Sequence, residues 1–138
     1  MVIESNPTLY EIQEMLDVCA MSYDLDEYFP RPKNCTRAEH LMNGWLYLVY
    51  DDDGNPLGYF VFMFKNKTMT FPFFGFMATK FCTIEHIRIL RNYIKKMMKE
   101  FFSQGVRVYI LNKKMIPIAE HWGFKQSKTN KNIYFRRF

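Results

Sequence analysis

The chain has 138 residues, 49% of them hydrophobic and 18% aromatic, enough to bury the core of one domain spanning 1–138 without covalent staples. No apolar run approaches the roughly 20 residues that cross a bilayer, and the first residues lack the basic and apolar regions of a secretion signal. The net charge of +5 is divided unevenly: residues 1–69 carry five basic and eleven acidic side chains (−6), and residues 70–138 carry fourteen and three (+11). That split predicts a cationic partner for the first half and an anionic one for the second, against the plainer reading of a solvated basic helix face and tail. Cys19, Cys35 and Cys82 are odd in number and widely spaced, which excludes a disulfide framework and a zinc knuckle. A cytoplasmic protein with reduced thiols, no metal and no membrane span is the expectation.

Residues 2–4 read as a short first strand. Asn6-Pro7 offers an N-cap and a first helical proline, opening a helix that runs to about residue 21 with Leu9, Ile12, Leu16 and Cys19 on its apolar face. Residues 22–34 form a long loop in which Asp24, Asp26 and Glu27 alternate with aromatic residues before Pro30 and Pro32. Thr36-Arg37-Ala38-Glu39 is a capping box for a short second helix ending near Asn43. Residues 45–50 and 57–64 alternate as strands around the turn residues 51–56 and form a hairpin, and residues 69–77 continue it into a three-strand meander. Pro72 and Gly75 interrupt that third strand and mark a bulge or irregular edge.

Thr83 then caps a long helix over 84–104, with Gly105 beyond its C-terminus and Ile84, Ile87, Leu90, Ile94, Met97 or Met98, and Phe101 as its buried stripe. A strand over 106–111, a helix over 115–122 stopped by Gly123, and a hairpin with arms 124–129 and 132–138 complete the chain. The order β-α-α-β-β-β-α-β-α-β-β predicts a mixed α/β (α+β) fold. Its sheet is mostly antiparallel with helices on both faces, and the strands flanking the long helix form one parallel pair.

This order, together with a strand ending in Asn112 and a helix ending His121-Trp122-Gly123-Phe124, resembles the GNAT superfamily of acyl-coenzyme-A-dependent N-acyltransferases over the whole chain. The resemblance implies acetyl transfer from acetyl-CoA to an amine on a small molecule or protein. It places the cofactor in a cleft between the fourth and fifth strands, with its pyrophosphate on backbone N–H groups at the start of the long helix. It implies Ala78, Lys80, Phe81, Cys82, Thr83, Arg88 and Asn112 as cofactor contacts, and Asp24, Asp26 and Glu27 as contacts for a cationic substrate.

Two positions depart from the family pattern. The glycine-rich phosphate loop has no glycine in either register, 78–83 or 85–90, and Ala119 stands where many members carry a tyrosine acid. Glu85, His121 and Tyr109 are then the candidate acid and base groups. Cys82 and His86, four residues apart, are a candidate thiolate pair, with inert packing as the stronger reading.

The departures motivate a second reading: a non-catalytic GNAT-like interaction protein, virion-associated and partnered by a phage or host protein. The size and the Met-, Phe-, Lys- and Asn-rich character are similar to small bacteriophage products, which would place it in the host cytoplasm or the virion. The basic tail around Lys125, Lys128, Lys131, Arg136 and Arg137 has the charge for nucleic acid but no recognition motif, and an edge strand accounts for it as well.

Overall fold

The computed structural model describes residues 1–19, 31–64, 72–111 and 113–138. Its strands are β1 (Val2–Ser5), β2 (Trp45–Tyr50), β3 (Pro56–Met63), β4 (Phe73–Ala78), β5 (Val106–Tyr109), β6 (Lys125–Gln126) and β7 (Ile133–Arg136). They form one sheet in the order β1-β2-β3-β4-β5-β7-β6. Every neighbouring pair is antiparallel except β4–β5. Helices α1 (Leu9–Val18) and α2 (Arg37–Met42) precede β2, α3 (Ile84–Phe101) joins β4 to β5, and α4 (Ile116–His121) follows a 3-10 turn at Lys113–Met115. The mixed α/β order expected from the sequence is the one observed.

The sheet separates two cores. On one face Ile12 and Met15 of α1 and Ala38 and Leu41 of α2 cover Leu46, Leu48, Tyr59, Val61, Met63 and Phe73. On the other, Leu90, Ile94, Met97 and Met98 of α3 cover Val49, Phe60, Phe62, Phe74 and Val106. Residues 57–63 of β3 are buried on both faces, and its fully buried aromatic side chains contribute about 1.5–3 kcal/mol each by removal from water.

Local capping sets the helix starts. Thr36 and Glu39 form the expected capping box. In α1 the cap is Thr8, bonded reciprocally with Glu11, rather than Asn6, which adopts φ 53° and turns the chain out of β1. Starting two residues late leaves Leu9 at the helix tip, 46% exposed, and puts Met15 in the buried face. Helix α3 begins at Thr83 as expected but ends at Phe101 rather than Gln104, because Phe102 turns into the core and its N–H caps Met98. Gly105 (φ 138°) then lays the chain against the Phe135 ring, where a Cβ would fall 2.4 Å away. Of the predicted stripe, Leu90, Ile94, Met97 and Met98 are buried, while Ile84 and Phe101 at the helix ends overshoot the sheet and are exposed.

The bulge expected at Pro72 or Gly75 lies elsewhere. Strand β4 pairs with β3 without a break from Gly58↔Ala78 to Met63↔Phe73, with Gly75 opposite Val61. The register shifts between β2 and β3 instead: Val49 faces Gly58 and Tyr50 faces Pro56, leaving Leu57 as the extra residue. Leu57 thereby joins the α3 core rather than the face of Tyr59 and Val61. Gly58 (φ 149°) makes this possible because it has no side chain to collide with β4.

Candidate active site: the gap between β4 and β5

Strands β4 and β5 meet at a single rung, Phe73↔Arg107, supported by the Arg107 N–H donating to the Pro72 carbonyl at 2.9 Å. The Arg107 guanidinium lies over the Phe73 ring at 4.3 Å and closes this narrow end. Beyond it no further rung forms. Strand β5 is held by four residue pairs to β7, and β4 by six to β3, and among the described residues the two share no second rung. Burial follows the opening: Phe73 and Phe74 are buried, whereas Gly75 through Ala78 are half-buried.

The ladder phase fixes which backbone groups face the gap. The Thr79 N–H bonds the Leu57 carbonyl, so odd-numbered β4 residues bond β3. The even-numbered residues Phe74, Phe76 and Ala78 direct their amides and carbonyls toward β5. The Phe74 N–H belongs to the Phe73 rung, and past it the groups of Phe76 and Ala78 have no ladder partner on β5 among the described residues.

The loop from β4 to α3 is closed on itself. Buried Thr79 donates its hydroxyl to the Pro56 carbonyl and accepts from the Phe81 N–H at 3.2 Å, while the Cys82 N–H bonds the Thr79 carbonyl at 3.1 Å. The Thr83 N–H donates to Nδ1 of His86 at 3.1 Å, and the His86 N–H returns to Thr83 Oγ1 at 3.2 Å. Of the four residues 80–83, three therefore have their N–H groups engaged internally. Ile84 and Glu85 are the helix-start N–H groups left without a protein partner, and the Glu85 carboxylate already supplies negative charge to that turn.

The hairpin turn next to this loop is acidic. Hydrogen bonds from the Asn55 side chain and backbone hold the Asp51 carboxyl below the usual carboxylate range, helped by the Asp53 amide and the nearby His86. Burial pushes the Cys82 thiol up, and His86 is committed to Thr83, so no activated Cys–His pair forms.

The three candidate acid and base groups are not brought together. Glu85 is exposed on α3 and paired with Arg88 at 3.7 Å, the solvated arrangement of an i,i+3 pair. His121 ends α4, where its Nε2 lies 3.1 Å from Nη1 of Arg91. Arginine only donates, so in this contact Nε2 is placed as the acceptor. Tyr109, half-buried at the end of β5, packs with the core of the opposite face, under α1 and α2. Ala119 packs into the α3 core, and the helix beside it seats Trp122 at 6.3 Å from Phe74. Lys80 and Phe81 are exposed, Ala78 and Cys82 half-buried, and Thr83 and Arg88 exposed at the helix start. Asn112, Asp24, Asp26 and Glu27 lie outside the described residues. Sequence reasoning missed Thr79, whose signal was a threonine opening a tight turn.

The basic tail is partly structural. Arg136 donates to the Trp122 carbonyl and stacks on Phe138 at 4.5 Å, so it serves the fold.

No protein-family model and no curated protein sequence matches the chain. Solved structures do match it in architecture. A protein from Streptococcus mutans, smu.2055, superposes with a TM-score of 0.70 at 15% identity, covering 99% of each chain. A Vibrio cholerae spermidine N-acetyltransferase SpeG chimera with hSSAT gives 0.62 at 13% identity, covering 98% of this chain and 95% of the other. Campylobacter jejuni N-acetyltransferase PseH, solved with acetyl coenzyme A, gives 0.60 at 17% identity over 97% and 96%. At these identities the likeness defines the fold: the chain has a GNAT-like architecture.

Proposed function

We propose that residues 1–138 act as one acyl-CoA-dependent N-acyltransferase-like domain that moves an acyl group to an amine on a small molecule or protein. One observation carries the reading: an otherwise continuous sheet narrows to a single rung between β4 and β5, and its two faces carry opposite charge. Acidic Glu4, Glu11, Glu14 and Asp17 accompany β1 and α1 on one side. Arg88, Lys95, Lys96 and Lys99 accompany α3 on the other. An acyl thioester entering from the basic side presents its carbonyl to an amine drawn to the acidic side.

The backbone of Phe74, Phe76 and Ala78 fits the amide-rich arm of coenzyme A, whereas the glycine-free loop 79–83 offers its phosphates little. Bound coenzyme A supplies an activated thioester; this chain supplies orientation along β4 and a dry wall formed by Phe74 and Trp122. Transfer forms the C–N bond, breaks the C–S bond, and moves one proton from the amine to the sulfur. Tyr109 is the candidate proton donor on the acidic side of the sheet, and His121 is a candidate on the basic side. Titration calorimetry with acetyl-CoA tests the reading, followed by thiol release with a panel of primary amines. Heat of binding and amine-dependent thiol release are expected; no heat up to millimolar ligand overturns it.

A second reading has its own observation. Ala119 in place of an acid and the internally bonded loop favour a scaffold that binds a phage or host protein without turnover, as a cytoplasmic or virion-associated component. Binding of acetyl-CoA without thiol release for any amine, together with recovery of the protein in purified virions, is its expected outcome.

A further inference from the structure

The two ends of the candidate site treat a coenzyme molecule differently. Along the edge of β4, Phe76 and Ala78 carry amides and carbonyls beyond the last rung, a ready partner for an extended chain with its own amides. At the mouth, three of the N–H groups that would hold a diphosphate are already spent, and the two left at Ile84 and Glu85 share their turn with the Glu85 carboxylate. The Phe81 N–H is bonded to Thr79 Oγ1, the Cys82 N–H to the Thr79 carbonyl and the Thr83 N–H to His86 Nδ1.

A hydrogen bond to a charged group is worth about 1.5–3 kcal/mol, but each one made by residues 81–83 first breaks an internal bond and strands its acceptor. The Asp51 carboxylate of the hairpin turn that Pro56 ties to Thr79 adds a negative group on this side, where a diphosphate would bring more. The remaining cations do not reverse this. Lys80 lies against the Phe81 ring at 5.3 Å, Arg88 is paired with Glu85, and Lys113 is exposed. Exposed charges of this kind act over about 8 Å at physiological salt and contribute steering more than affinity.

We infer that the site recognises the acylated pantetheine arm and draws almost no affinity from the nucleotide diphosphate. This inference rests on the acyl-thioester reading above and narrows it. The ligand class is an acyl-pantetheine, whose source is either coenzyme A or a phosphopantetheine arm tethered to a carrier protein.

Calorimetry with the full chain in about 0.15 M salt compares acetyl-CoA, acetyl-pantetheine and 3′-phospho-ADP. Acetyl-pantetheine is expected to bind within about tenfold of acetyl-CoA, and 3′-phospho-ADP at millimolar concentration is expected not to displace it. Acetyl-CoA binding more than about tenfold tighter, or displacement by 3′-phospho-ADP, overturns the inference and leaves the acyltransferase reading intact. Failure of both thioesters to bind overturns the two together. Amine acetylation from an acetylated carrier protein at a rate equal to or above that from acetyl-CoA identifies the tethered arm as the source, and acetylation from acetyl-CoA alone identifies the free cofactor.

Discussion

Gly58 lies against Met77 so closely that a Cβ built on the glycine falls 2.0 Å from the Met77 carbonyl oxygen. This approach holds the bulged end of β3 to the open end of β4, beside the gap. Gly58→Ala is therefore expected to cost more than about 3 kcal/mol, by forcing either backbone apart. Gly54, which also has positive φ but nothing within 4 Å of its Cβ position, serves as the control: Gly54→Ala is expected to cost about 1–2 kcal/mol from the left-handed conformation alone. Urea denaturation of the two variants separates close approach from backbone strain.

Thr79 ties three segments together through one hydroxyl. Its replacement by valine keeps the shape but leaves the Pro56 carbonyl and the Phe81 N–H without their partner. The expected loss is about 1–3 kcal/mol, with most of it restored in Thr79→Ser. Thermal melting of the two variants checks the order wild type, serine, valine.

Adjacent arginines in the tail should behave differently. Arg136 donates to the Trp122 carbonyl and packs against Gly123 and Phe138, so Arg136→Ala is expected to destabilise by about 1–3 kcal/mol. Arg137 is exposed, and Arg137→Ala is expected to stay within about 0.5 kcal/mol of wild type. Equal effects in a urea titration would contradict the structural role assigned to Arg136.

The β1–α1 contact carries a pH dependence. A hydrogen bond to Glu11 raises the Glu4 carboxyl above its ordinary range, with burial and the Glu11 charge acting in the same direction. The same bond, with the Thr8 amide and hydroxyl, lowers Glu11. For the raised group, the contribution is full below the unfolded value and is lost as pH rises through the folded value. As pH rises through that value, Glu4 ionises beside the Glu11 carboxylate and the two repel. Glu4→Gln donates to Glu11 at every pH, so its melting temperature should exceed wild type by about 1–3 °C at pH 7 and match it near pH 4. Scanning fluorimetry across that range reads the difference directly.

The departures from the expected site share a physical origin. The Thr83 cap and the absence of glycine were both legible in the chain, but not that His86 would turn its ring back onto the Thr83 amide. Glu85 is a candidate for its place at the helix start beside the cleft, His121 and Tyr109 for their nearness in the chain to Ala119, and chain position says nothing about faces. The core assignments of β5 and α4 put Tyr109 and His121 on opposite sides of the sheet.

Local chemistry determined the element order, the Thr36 and Thr83 helix starts, the 51–55 turn and the charge division, because capping, periodicity and turn preference act within a few residues. Tertiary structure decided where the sheet bulges, which β4 amides face the gap, and that the gap exists. Those features depend on register between strands far apart in sequence. The single Phe73↔Arg107 rung, 34 positions apart in numbering, is where β3 and β7 stop holding β4 and β5 together.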